Sequence, residues 1–303
     1  MRRRVPPAAA PGLLSGPSRS GSGTPGIRQQ AALVARLRAA GCVFAEEEAD
    51  LLLDAATRGG DLEAMAARRV AGEPLEHVVG RAVFAGLAVR VVPGVFVPRP
   101  RSEVLVEVAL SALLGRPDRP DRAVVLDLCC GTGALGLAVR AGIDSAGTAV
   151  DLHAADVDPA AVACARDNLA GLGTVYCGDL DAPLPPALAG RVDLLVANVP
   201  YVPTDEVDLL PAQFRDHEDR RALDGGADGL DVARRVFFAA PRWLAPAGRV
   251  LIETATHQVD AATEAARAAG LVTEVTHDDE WRAAVVSAGR YGSPRGPLPV
   301  NTR

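Results

Sequence analysis

Apolar residues recur at helical spacing in three short segments between residues 27 and 72. IRQQAALVARLRAAG sets Ile27, Leu33, Val34 and Leu37 along one helix and stops at Gly41, a residue type that favours helix ends. AEEEADLLLDAATRGG opens with acids, which suit the positive end of a helix, and closes at Gly59 and Gly60. DLEAMAARRVAG is the third. Together they predict a small bundle of amphipathic helices, useful for recognition or as a lid. VFAGLAVRVVPGVFVPRP then alternates around Gly86 and Pro93-Gly94, the pattern of a hairpin or of short strands.

From about residue 123 the period changes. AVVLDL, AVDLHAAD, TVYCGD, RVDLLVAN and GRVLIET read as strands. GTGALGLAVRAG, PAAVACARDNLAGLG, GLDVARRVFFAAPRWL and HQVDAATEAARAAG read as the helices between and after them. LVTEVTHD and RAAVVSA close the series as late strands, and no internal repeat is visible. Strands alternating with helices predict an α/β fold with a doubly wound parallel sheet. Such sheets bind ligands beyond the carboxyl ends of their strands. The expected organisation is a disordered tail over 1–26, a helical recognition domain over 27–80, a hairpin linker over 81–100, the sheet domain over 101–290 and a C-terminal tail over 291–303.

Composition narrows the field. The chain has 303 residues, enough for one large domain or two smaller ones, and 49% are hydrophobic, ample for a core. All 32 basic residues are arginine, which with the heavy use of alanine reads as genome composition rather than function. The formal charge of -6 argues against gripping bare nucleic acid, which wants a basic face, and is compatible with a protein partner. No apolar run approaches the roughly 20 residues of a membrane span. The five cysteines, Cys42, Cys129, Cys130, Cys164 and Cys177, form no CxxC pair, and the five histidines show no ligand spacing. Neither a disulfide framework nor a metal site is indicated, and a reduced, cytoplasmic setting fits best. Residues 1 to 25 are rich in Pro, Gly, Ser and Ala and lack the apolar stretch of a signal peptide.

Candidate chemistry collects at the predicted strand ends. In LDLCCGTGALG, Asp127 ends a strand and Gly131 and Gly133 turn into a helix, whose free N–H groups face a ligand. The turn has neither the GK[ST] ending of a phosphate loop nor the GxGxxG spacing of a dinucleotide site. Asp156 ends the next strand, where a carboxylate accepts both hydrogen bonds of a ribose diol. Asp158, before Pro159, reads instead as a helix cap. Asp179 ends the third strand, where an adenine amino group is read. Three acids and one glycine turn suit a nucleoside without phosphates, and S-adenosylmethionine is such a ligand.

NVPY, residues 198–201, ends the fourth strand on the same rim. A carboxamide is neither acid, base nor nucleophile, so Asn198 needs another task. The lone pair of an amide or aryl-amine nitrogen is delocalised, and such a nitrogen attacks a methyl group poorly. Two acceptors that take both of its N–H groups fix its orientation. The Asn198 side-chain oxygen is one and the Val199 backbone carbonyl, held by Pro200, is the other. Tyr201 packs on the planar group. This is catalysis by positioning, with acceptor dipoles facing the positive charge that grows on nitrogen.

With these residues in place, the sequence resembles the class I methyltransferases, and among them the HemK/PrmC-like glutamine-N5 methyltransferases that modify peptide-chain release factors. The resemblance runs from about residue 27 to about 288. It rests on the order of GEPLEHVVG (72–80), FAGLAV (84–89), VPRPRSE (97–103), LDLCCGTGALG, ADVDP, NVPY and HEDRRALDGGADGLD (217–231). It implies a helical N-terminal domain, a hairpin linker and an S-adenosylmethionine-dependent domain. It also implies a cofactor site at Asp127, Cys129, Gly131, Gly133, Asp156, Asp179 and Asn198, and a catalytic motif at Asn198, Val199, Pro200 and Tyr201. Three departures point to a divergent paralogue: Val199 stands for the first proline of Asn-Pro-Pro-Tyr, Cys129 for a glycine, and Arg101 for an acid. Arg101 touches substrate recognition more than cofactor binding. The competing readings are a nucleic-acid exocyclic-amine methyltransferase, which uses the same motif on a flipped base, a catalytically silent binding module, and a small-molecule methyltransferase. Few basic clusters, RRR at the start and DRR at 219–221, support the first of these.

Overall fold

The structure is a computed structural model that describes residues 25–290. The expected tails over 1–26 and 291–303 therefore lie outside the described residues, except Pro25 and Gly26, which open the first helix. The described chain divides into two compact units, one ending at Leu62 and one beginning at Glu63.

The first unit holds α1 (Pro25–Ala39) and α2 (Ala45–Thr57). Leu33, Leu37, Ala49 and Leu52, spaced three and four apart on their helices, are buried. The third predicted helix exists, as α3 (Leu62–Val70), but it begins at the boundary and lies almost wholly in the second unit.

The second unit continues with a helix not read from the sequence, α4 (Leu75–Val79). Five residues are too short to register a period; Pro74 precedes it and Gly80 ends it in the left-handed region. β1 (Arg81–Phe84) and β2 (Leu87–Arg90) make the expected hairpin, with Phe84 opposite Leu87. Its two turn residues, Ala85 and Gly86, have φ of 48° and 75°, the tight turn whose twist matches paired strands. The following VPGVFVP is not a strand; it meets the rest through a bridge between Gly94 and Glu218. Then comes α5 (Glu103–Leu114), also unforeseen. Its EVLVEVALSALL is apolar nearly all round and largely buried, so no amphipathic stripe betrays it. The Glu103 carboxylate accepts the Ala85 N–H at 2.9 Å and ties this helix to the hairpin turn.

The sheet contains β3 (Arg122–Leu128), β4 (Ala149–Asp156), β5 (Gly173–Cys177), β6 (Val192–Ala197), β7 (Leu244–Ala255), β8 (Val272–Asp278) and β9 (Ala283–Gly289), in the order β5-β4-β3-β6-β7-β9-β8. The first five are parallel. β9 runs antiparallel to both neighbours and corrects the all-parallel expectation. The reason is local: β8 and β9 are joined by the short segment 279–282, which permits a hairpin but no crossover. Within β3, Val125 packs into one core and Val124, Leu126 and Leu128 into the other, which is why the strand reads as a continuous apolar run. One core contains α5 and α6 (Ala134–Ser145), the other α9 (Asp231–Trp243) and α10 (Val259–Ala268). α7 (Pro159–Asn168) follows β4, and the long loop after β6 carries the single-turn α8 (Ala212–Arg215). Among the described residues no helix is long and apolar enough to cross a membrane.

The strand order reverses at β3. The chain steps from β3 outward to β5, then returns to lay β6 on the other side of β3. This switch point opens a crevice beyond the strand ends.

Candidate active site

A cavity of about 290 Å³ fills that crevice, and every residue expected in the site except Gly133 lines it. The register explains the convergence. Leu128 of β3 pairs with Ala155 of β4 and with Ala197 of β6, so Cys129, Asp156 and Asn198 leave the sheet side by side.

Asp127 is wholly buried. One carboxylate oxygen accepts the Gly136 N–H at 2.8 Å, and the other is buried with no hydrogen-bond partner among the described residues. Burial pushes its pKa up to about 7; the Gly136 N–H opposes that shift and the Asp156 charge adds to it. A buried, half-partnered carboxylate in a cavity wall is a place for a ligand's ammonium group. Gly133 opens α6 with φ of 77°, and a Cβ there would stand 3.1 Å from Leu169. The position thus demands glycine by conformation and by space. Cys129, at φ of 56°, holds a left-handed conformation that glycine would take without strain. Its removal from water, followed by the charges of Asp156, Asp127 and Asp179, pushes its thiol well above the usual range, so it stays protonated.

Asp156 accepts the Gly131 N–H on one oxygen at 2.8 Å and the Asp158 N–H on the other at 2.9 Å. Each oxygen keeps a second lone pair, so the oriented carboxylate still offers two acceptors to a diol. Burial raises its pKa, opposed by the amides of Asp158 and Gly131. Asp158 caps α7 by accepting from Ala160 and Ala161. Asp179 lies at the rim, where Arg235 of α9 takes one of its oxygens at 2.7 Å.

At the end of β6 the Asn198 carboxamide nitrogen donates to the Ser102 hydroxyl at 3.1 Å. Its oxygen, and the Val199 carbonyl, accept no hydrogen bond among the described residues. The Val199 side chain is buried in the core shared with α9. Tyr201 lines the cavity, and burial raises its phenol above the usual range, with Arg101 opposing. Arg101 does not line this cavity. It lies 5.2 Å from the Tyr201 ring centre, and its Nε donates to the fully buried Glu253 at 2.7 Å.

Several residues that hold this motif were not singled out in the sequence. Gln258 donates to the Tyr201 carbonyl at 2.8 Å and to the Asp228 carbonyl at 3.0 Å. Gly229, at φ of 76°, presses so close that a Cβ would fall within the Tyr201 carbonyl. Glu218 accepts the Val97 N–H at 3.1 Å and pairs with Arg99, fixing the wall that carries Phe96. Glu218 and Gly229 fall inside the landmark HEDRRALDGGADGLD, a pattern of glycines and acids that assigned no task to any one of them.

The chain is similar to known methyltransferases. Residues 87–214 match the family model of the methyltransferase small domain. The release factor glutamine methyltransferase of Mycolicibacterium smegmatis is 40% identical over 236 residues, 75% of this chain and 79% of that protein. The enzyme of that name from Streptomyces coelicolor is 39% identical over 193 residues, 63% of this chain and 66% of its own. That of Deinococcus radiodurans is 34% identical over 278 residues, covering 85% and 96%.

Proposed function

The chain belongs to the release factor glutamine methyltransferases, and from that membership we propose that it methylates the side-chain amide nitrogen of a glutamine in a peptide chain release factor, with S-adenosylmethionine as donor. The glutamine is that of the Gly-Gly-Gln tripeptide. The reaction takes place in the cytoplasm, and the N-terminal helical unit docks the protein substrate.

One observation carries the reading: two bare acceptors, the Asn198 carboxamide oxygen and the Val199 carbonyl, stand together beside Tyr201 at the cavity wall. A glutamine amide nitrogen has two N–H donors, and two fixed acceptors hold both. Asp156 holds the ribose diol of the cofactor. Asp127 faces its ammonium group, and the turn through Cys129, Gly131 and Gly133 lets the backbone come close. Asp179 lies at the adenine end. When bound, S-adenosylmethionine supplies a methyl group on a cationic sulfur; its C–S bond breaks as the C–N bond forms, and the nitrogen gives up one proton. Asn198 and Val199 orient the nitrogen and stabilise the charge growing on it, while Pro200 stiffens the carbonyl and Tyr201 packs against the planar amide.

The test is a labelled-methyl transfer assay with a purified release factor and with its variant bearing alanine in place of the Gly-Gly-Gln glutamine. Label on the first and none on the second is expected. Equal label on both, or label in lysate that nuclease removes, overturns the proposal.

A further inference from the structure

We propose that Ser102 is a positioning residue that holds the Asn198 carboxamide, and with it the acceptor oxygen offered to the reacting nitrogen. The inference rests on the function proposed above and deepens it. An asparagine side chain has nearly the same shape in its two flipped orientations, yet only one presents an acceptor to an N–H group. With the nitrogen turned into the cavity, donor would meet donor and the amide would be repelled.

Ser102 sits beside this carboxamide. It is 96 residues from Asn198 in sequence, 4% exposed, and lines the same cavity. Its own N–H donates to the Arg99 carbonyl at 2.9 Å, which anchors the backbone. Ser102 closes a helical turn that runs into α5, and its hydroxyl makes no capping bond. It accepts from the Asn198 nitrogen at 3.1 Å. Among the described residues this is the one hydrogen bond on the Asn198 side chain, so the serine hydroxyl is the contact that holds the carboxamide still.

The experiment follows the carboxamide directly and the reaction separately. The chain has three asparagines, Asn168, Asn198 and Asn301, so asparagine-selective ¹⁵N labelling yields three side-chain amide pairs, and the Asn198 pair is assigned by its loss in Asn198→Ala. In Ser102→Ala the Asn198 amide protons are expected to exchange with water at least about tenfold faster, and kcat is expected to fall about tenfold to a hundredfold with cofactor Kd within about twofold. Ser102→Thr keeps the hydroxyl and restores both readings. Unchanged exchange and unchanged kcat in Ser102→Ala would overturn the inference. So would a loss of cofactor affinity in step with kcat, or a threonine variant as impaired as alanine. If the wild type transfers no methyl to the release factor, the proposed function fails, and the exchange measurement still decides the role of Ser102.

Discussion

The Gly131 backbone amide donates to the Asp156 carboxylate, joining the turn after β3 to the end of β4 across the cofactor cavity. The bond orients the carboxylate before any ligand arrives. Asp156→Ala removes the acceptor for the diol and releases the Gly131 turn together. S-adenosylmethionine binding, measured by titration calorimetry, is expected to weaken by about 1.5–3 kcal/mol, the worth of hydrogen bonds to a charged group. An unchanged Kd would place the ribose elsewhere.

Asp127 makes pH a probe of the site. Its folded pKa, about 7, lies above the ordinary 3.8. Between those values the folded protein holds a proton that the unfolded chain has released. Stability from this group is therefore lost as pH rises through that window and levels off above it. Asp156 and Glu218, also raised by burial, slope in the same direction. The difference between wild type and Asp127→Asn in melting temperature, followed from acid to neutral pH, isolates the Asp127 share. Cofactor affinity should move oppositely, strengthening through about pH 7 as the carboxylate charges; a flat affinity profile removes Asp127 from the ammonium site.

In the proposed reaction Asn198 and Tyr201 divide the substrate side between them. Asn198→Ala is expected to abolish methyl transfer while cofactor Kd stays within about threefold, because the loss is of positioning. Tyr201→Ala should lower kcat/KM for the release factor by about tenfold or more, and Tyr201→Phe should keep most of the activity, since packing on the amide uses the ring. Cofactor binding lost in parallel with turnover in Tyr201→Ala would move the ring to the cofactor.

Gly229 supports the same motif from behind. Gly229→Ala asks a left-handed backbone to carry a side chain and pushes it into the Tyr201 carbonyl and Gln258. Strain of this kind costs on the order of 1–3 kcal/mol. Thermal melting should show that loss, together with a fall in turnover that exceeds any fall in cofactor affinity. A variant as stable and active as wild type would show that the loop shifts freely.

The residues that line the cavity at its floor were legible in the sequence because they sit at strand ends, and a strand end is marked locally by where an apolar run stops. Asp127, Asp156 and Asn198 each follow such a run. The residues that hold them were not legible, because their partners are remote: Ser102 lies 96 positions from Asn198, Gln258 57 from Tyr201, and Glu218 121 from Val97. The fold shows the same divide. Amphipathic helices and the strands of the parallel half announced themselves by period. α5 did not, because burial on most sides erases the stripe, and the place of β9 did not, because pairing order is a property of the whole sheet.

The insertion of β9 between β7 and β8 has a consequence for biosynthesis. A chain leaves the ribosome from its N-terminus, and elements fold as they emerge. The cavity-forming segments, from Phe84 to Arg235, are all made before Ala283. Yet β7 waits with an open edge until the final strand fills it, and β8 has no other partner in the sheet. A chain arrested short of Gly289 would thus display a long unpaired strand in place of a finished enzyme, the kind of edge that pairs with other chains. A late strand thus closes an edge that the earlier part of the chain leaves open.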